Sequence, residues 1–300
     1  MKLRLLSFFP VIALVLGFSA AALQAATAKS YPVNLSTPWK VGEKFGERRT
    51  ASADMQMVMN VEAAGQPPRP MQQQQQKQSV HLDADAEVLA VFPNGGLQKV
   101  ALTLRKFTGA ADAKPEADLL PAGTKVVVEK NGKDKSYTVD GKPAAAELVQ
   151  FLKLAVDLDD PAHTDQEVLG PKAAVAVGDA WPVNGTLMAE SLKEDFGDSV
   201  TCTGSLKLDG IKGSGASQVA AVSGTFKFDH LQLPIPSFVV KTAEGQAELS
   251  GNLPASHSGV ETRSLKLAIK LAGEAPGPNG AKLSLDMTGT QENWTEITYR

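Results

Sequence analysis

The run ASADMQMVMNV, residues 51–61, decides the fold class. Ala51, Ala53, Met55, Met57, Met59 and Val61 recur at every second position. Ser52, Asp54, Gln56 and Asn60 fill most of the places between them. A strand sends successive side chains to opposite faces, so this period of two makes one apolar face and one polar face. A helix would spread the same residues around its circumference.

Outward from this run the theme repeats. Residues 64–78, AGQPPRPMQQQQQKQ, are rich in Pro and Gln and bury too little apolar surface to offset ordering, so a mobile loop is expected there. Val80, Leu82, Ala84, Ala86, Val88, Ala90 and Phe92 then restore the alternation and predict the antiparallel partner of the first strand. Pro93-Asn-Gly-Gly96 is a turn signal, and Val100, Leu102 and Leu104 supply a third strand. Asn131-Gly132 between Lys125–Lys130 and Lys135–Asp140 predicts a hairpin.

The period changes at residues 144–157. Leu148, Phe151, Leu152 and Ala155 follow the i, i+3, i+4, i+7 spacing of an amphipathic helix. Pro143 suits its first turn, and the acids from Asp157 onward place its end close to Val156. Residues 159–171 read as a linker. Strand patterns then return at Val200–Leu208, Val219–Phe228, Val239–Leu253, Leu265–Leu271 and Leu283–Met287, with a short helical pattern over residues 184–196. The expectation is a mainly β (α+β) protein: long curved antiparallel sheets in two possibly related halves, 29–160 and 172–300, with one amphipathic helix near 144–157. Each half opens on a similar short stretch, VGEKF at 41–45 and VGDAW at 177–181. Both set a Gly-acid pair two residues before an aromatic, Phe45 or Trp181, and read as one structural joint used twice.

The N-terminus predicts export. Lys2 and Arg4 precede a nearly unbroken apolar stretch from Leu5 to Ala22, and small residues follow in ALQAATAKS. That order is the one found in secretory signal peptides, here residues 1–25 with cleavage between 25 and 28. No basic cluster follows that would stop transfer, and no later run is apolar and long enough to cross a membrane. About 275 residues would remain, with a formal charge near −5 once Lys2 and Arg4 are gone. A mildly acidic chain without a basic stripe is a poor nucleic-acid binder. One cysteine, Cys202, permits no internal disulfide.

Catalytic and metal-binding patterns are sparse. There is no G-x-S-x-G; Gly213-Ser-Gly-Ala-Ser217 between two strand runs reads as a turn. Cys202 sits on an apolar strand face and reads as an inert thiol. The histidines, His81, His163, His230 and His257, are far apart. His81, Asp83, Asp85 and Glu87 share one strand face, as a hard cation such as calcium would need, but a solvated face explains them as well. Asp157, Asp159 and Asp160 read as a polar linker in the same way. No catalytic, metal or cofactor residue is assigned. A curved sheet carrying Met55, Met57, Met59, Val80, Leu82, Val88 and Phe92 would suit an apolar guest, since methionine adapts to imprecise partners. An ordinary core would have the same composition.

Around VGDAWP and the strands after it, the chain resembles uncharacterised secreted bacterial β-rich proteins known only as domains of unknown function. It also resembles bacterial lipoprotein carriers, whose open β half-barrel with a helical lid implies a sheet with a covered concave face. That likeness brings no site residue with it. The sequence therefore predicts an exported, periplasmic or extracellular, non-enzymatic binding or structural module, its partner an apolar ligand or an envelope protein. The alternatives are a periplasmic carrier of a lipid or other apolar ligand, which requires a continuous apolar cavity between sheet and helix, and a carboxylate-dependent hydrolase, which requires acids meeting in a cleft.

Overall fold

In the computed structural model, which describes residues 29–62, 69–132, 134–232, 238–277 and 281–300, the alternating run of residues 51–61 lies inside a 19-residue strand. In chain order the strands begin with β1 (Ser30–Tyr31), β2 (Lys44–Glu62), β3 (Arg69–Val91) and β4 (Leu97–Ala111). Short strands follow: β5 (Ala117–Asp118), β6 (Lys125–Asn131), β7 (Asp134–Val139) and β8 (Lys142–Pro143). Helices α1 (Ala146–Ala155) and α2 (Asp165–Leu169) lead to β9 (Val175–Ala176) and β10 (Ala180–Pro182). Helix α3 (Gly185–Phe196) precedes β11 (Thr201–Lys212), β12 (Val219–Asp229), β13 (Val239–Pro254), β14 (Val260–Pro276) and β15 (Lys282–Tyr299).

Thirteen of these strands form one antiparallel sheet, ordered β10-β11-β12-β13-β14-β15-β2-β3-β4-β6-β7-β8 with β5 beside β4. The strands at its two ends, β10 and β8, do not pair, so the sheet is not closed into a barrel. Strands β1 and β9 make a separate two-stranded sheet. The mainly β expectation holds. The two halves of the chain, however, share one sheet, because the last strand, β15, pairs with β2 along 18 residues from Lys282↔Glu62 to Tyr299↔Phe45.

One face of this sheet carries the helices. Phe45, Val80, Leu82, Leu102, Leu104, Val126 and Val128 pack there against Leu152 and Ala155 of α1. On the other half, Leu206, Leu208, Val222, Phe226 and Trp181 pack with Val33 and Leu35 of the leader, the segment between β1 and β2, and with Met188 of α3. The opposite face is polar, as the strict alternation requires.

Three expectations need correction. The segment 64–78 is not all loop: β3 starts at Arg69, and Gln72, Gln74 and Gln76 pair with Met59, Met57 and Met55. Backbone groups of a long strand need partners whatever side chains the partner carries, so the glutamines extend the ladder while staying exposed. Residues 64–68, like the expected signal peptide 1–25, lie outside the described residues. Pro143 is not in the first turn of α1 but in β8, opposite Thr138, and the helix begins at Ala146. A helix that the sequence did not predict is also present among the described residues: residues 165–169 of the expected linker form α2, begun by a Thr164/Glu167 capping box, while α3 falls on the short helical pattern of residues 184–196. The end of α1 falls where the acids place it, with Val156 as its C-cap.

The two similar joints adopt the same local geometry. Gly42 and Gly178 both have positive φ, 86° and 96°. Gly42 N–H donates to Val88 O and Val88 N–H to Glu43 O. Gly178 N–H donates to Leu208 O and Leu208 N–H to Asp179 O. Each acid accepts the N–H three residues back, Glu43 from Lys40 and Asp179 from Ala176, both at 2.9 Å. Phe45 and Trp181 then enter the two cores, 2% and 6% exposed.

Candidate functional site: a polar cavity on the helix-covered face

The inner face is apolar at both flanks and charged in the middle. Alternation on β2 places Glu47 and Arg49 on the same side as Phe45 and Ala51, and alternation on β14 places Glu261 and Arg263 in line with Leu265. Strand β15 runs between them. In the sheet's register Glu261, Ile297 and Glu47 form one row, and Arg263, Thr295 and Arg49 form the next. The same E-x-R pattern therefore flanks β15 on both sides.

These rows form the floor of a cavity of about 610 Å³. The leader around Ser36 and Thr37 and the segment from Val156 to Asp165 wall it. Its size is that of a small-ligand pocket.

The two E-x-R pairs have different fates. Arg263 is held by three hydrogen bonds. Its Nε donates to Glu261 at 2.5 Å, Nη1 to Asp165 of α2 at 2.5 Å, and Nη2 to Leu35 O of the leader at 2.9 Å. Tyr299 donates its hydroxyl to the other Glu261 oxygen at 2.6 Å. Burial would lower the proton affinity of Arg263, but Glu261 and Asp165 outweigh it and raise it. Burial and the adjacent Glu261 push the Tyr299 hydroxyl up. Arg263 thus clasps the leader and α2 to the sheet.

Arg49 is not engaged in this way. Its Nη2 lies 3.4 Å from Glu47, and its Nε is buried with no hydrogen-bond partner. The Glu47 side chain is only 8% exposed. Burial raises its carboxyl above the ordinary range, Arg49 pulls it back, and the charge of Asp157 raises it further. A buried ion pair short of hydrogen bonds is costly, and an unpaired buried donor marks a place where a partner belongs.

The acids of the 157–160 segment diverge. Asp157 takes Lys135 at 2.7 Å and its neighbour's N–H at 3.0 Å, both on Oδ1. Its side chain is 73% exposed, and the residue lines the cavity. Burial works to raise its carboxyl, but Lys135, Arg49 and the Leu158 N–H together hold it below the ordinary range. Asp159 accepts the Leu97 N–H at 2.5 Å and is pushed up to about 6, chiefly by burial. Asp160 caps Ala162 and His163.

The outer-face group is structural. Arg105 donates to Asp83 and Asp85, both at 2.7 Å, and Arg300 reaches Asp85 from the chain's end. Among the described residues no group of three or more His, Cys, Asp or Glu is placed to hold a metal ion. Cys202 is buried beside Met188, and burial pushes its thiol up to about 11. Gly215–Ser217 is a short 3₁₀ turn. Of the residues expected to greet an apolar guest, Val80, Leu82 and Val88 are packed core, whereas Met55 is 47% exposed and Met57 and Met59 half-buried. The sheet–helix interface under α1 is therefore solid, and the apolar surface that stays open lies further along β2.

Glu47, Arg49, Glu261 and Arg263 escaped the sequence reading. The available signal was parity: each pair continues an apolar alternation backward by two and four positions from Ala51 or Leu265.

No family model and no curated protein matches the chain. Three solved structures that match include a porin and an outer membrane channel. A triple mutant of the Rhodopseudomonas blastica porin shares 9% identity over 82% of this chain and 99% of its own, at a TM-score of 0.19. A Pseudomonas putida outer membrane channel shares 7% over 90% and 100%, at 0.18. Pseudomonas aeruginosa OpdQ shares 8% over 83% and 97%, at 0.17. None of the three is a lipoprotein carrier, and scores this low transfer neither fold nor function. Among the described residues no helix is long and apolar enough to cross a membrane.

Proposed function

We propose that this is an exported, envelope-associated binding protein, built from two related halves, that holds an amphipathic ligand on the inner face of its sheet. The signal-like N-terminus supports export, and the matching Gly42 and Gly178 joints support the duplication. The observation that carries the binding reading is a gradient along the β2/β15 seam. Going away from the cavity, the paired rows are Arg49/Thr295, Ala51/Asn293, Ala53/Gln291, Met55/Gly289, Met57/Met287 and Met59/Leu285. Charge gives way to amide, then to methionine, on one continuous face. A side chain at Gly289 would meet nothing within 4 Å, so space stands above the strand there. From Ala51 to Met57 the seam runs about 20 Å at strand rise. One acyl chain of a bilayer leaflet spans about 15 Å. The head would sit beside Arg49 and Glu47 and the tail along the methionines.

Gly289→Phe tests this. Gly289 has no positive φ, so the ring fills open space without backbone strain. Wild-type protein should bind a single-chain phospholipid in native mass spectrometry, and G289F should lose at least about tenfold in affinity with its melting temperature unchanged. Equal binding by the two proteins overturns the proposal.

A second reading rests on Glu47 and Asp157, two coupled carboxylates in one cavity, the first raised and the second lowered. Such divergence suits an acid and a base of a hydrolase. It requires hydrolysis that Glu47→Gln abolishes; turnover unaffected by E47Q removes it.

A further inference from the structure

We infer that the head group taken by the cavity is zwitterionic, its anionic part meeting Arg49 and its ammonium meeting Asp157. The inference rests on the amphiphile reading and specifies which amphiphile.

The cavity's fixed charge argues for it. Arg263 already gives three of its donors to Glu261, Asp165 and the Leu35 carbonyl, and its charge is met by two carboxylates. Lys130 is turned to the Asp159 carbonyl at 3.0 Å. Arg49 is less well served: among the described residues its ion-pair contact is Glu47 at 3.4 Å, and its Nε has no hydrogen-bond partner. An anionic group in the cavity that Arg49 lines would add a second counter-charge to its guanidinium. A purely anionic head would not fit the rest of the lining. Glu47, Asp157, Asp159 and Asp160 all border the same space. Asp157, which lines the cavity, has Oδ2 left over, since Lys135 and the Leu158 N–H both use Oδ1. Asp157 also lies close enough to Glu47 and Arg49 to perturb the first and be stabilised by the second. Donor and acceptor seats therefore stand side by side. A primary ammonium next to a phosphate or carboxylate satisfies both and leaves no buried charge without a partner.

The test compares lysophosphatidylethanolamine, lysophosphatidylglycerol and a maltoside of equal chain length, each below its micelle-forming concentration, on the full mature chain. Wild-type protein should prefer the ethanolamine head over both others by about tenfold. Asp157→Asn should reduce that preference to about twofold or less while binding of the glycerol lipid stays within about twofold of wild type. Arg49→Gln should weaken both phospholipids about tenfold without changing maltoside binding. Circular dichroism of each variant checks folding; should R49Q unfold, D157N alone decides. Equal binding of the ethanolamine and glycerol lipids, a maltoside as tight as either, or a preference untouched by D157N overturns the zwitterionic head and leaves the amphiphile reading standing. If none of the three binds, and G289F changes nothing, the amphiphile reading itself falls.

Discussion

Arg49 and Arg263 stand in one row of the sheet on either side of Thr295, yet Arg263 makes three hydrogen bonds while the Nε of Arg49 makes none. The difference comes from what lies above each. Both line the cavity, but the leader and α2 also descend on Arg263 and bond to it. Removing the Glu47–Arg49 pair as a unit should therefore cost little. The double variant Glu47→Gln/Arg49→Met is expected to be neutral or to stabilise the fold by about 1–2 kcal/mol in urea unfolding, since an ion pair poor in hydrogen bonds rarely repays its desolvation. Ligand binding should be lost in the same variant. A loss above about 3 kcal/mol would make the pair a structural element instead.

Arg263→Gln should behave in the opposite way. It breaks charge-assisted bonds to Asp165 and Glu261 and frees the Leu35 carbonyl. Because the side chain is 40% exposed, about 2 kcal/mol is expected rather than the larger cost of a fully buried pair. Hydrogen exchange should quicken in residues 33–39 and 164–169, while the amides of β3 and β4 stay protected. Uniform acceleration across the sheet would refute a local clasp.

The two joints make a paired prediction. At Gly42 and Gly178 a methyl group would meet nothing within 4 Å, so Gly→Ala is opposed only by the positive φ. Each substitution should cost about 1 kcal/mol, and the two costs should agree closely. Removing the acids should not give equal costs. Asp179→Ala loses the turn bond to Ala176, but Glu43→Ala also loses the 2.8 Å contact with His257, which stacks on Tyr299 and touches Trp39. Thermal melts of the four variants check both statements.

The strands were legible because alternation is local: burial on one face forces a period of two wherever a strand is long enough. The β2–β3 register beyond Met55 was not legible, because glutamines carry no hydrophobic signal and their place is set by the ladder alone. Nor could the sequence show that β15 closes onto β2, a pairing between the two ends of the chain. The cavity depends on that pairing, since only through it do Glu47, Arg49, Glu261 and Arg263 share a face. Helix α1 was readable from its stripe; α2 was too short to show a period and declared itself only through the Thr164 and Glu167 cap.

Asp159 sets a pH dependence whose sign is fixed. Its folded-state carboxyl is raised to about 6 from an ordinary 3.8, chiefly by burial. Between those values the folded protein holds a proton that the unfolded chain has released. The stabilisation is therefore complete below about pH 4 and is lost as pH rises through 6. Taken at full value the shift is worth about 3 kcal/mol. The carboxylate faces cavity solvent, which screens it, so about 1 kcal/mol is the expected size. Asp157 works in the other direction, being lowered, so the slope of the wild-type protein alone is not diagnostic. The difference between wild type and Asp159→Asn isolates the group, because an asparagine oxygen still accepts the Leu97 N–H that Asp159 accepts. Urea midpoints between pH 3 and 7 should show wild type losing stability relative to D159N as pH rises, with the change centred near pH 5. A difference that is flat with pH, or that grows in favour of wild type, would mean that Asp159 is ionised at those pH values and that the cavity is wetter than its walls imply.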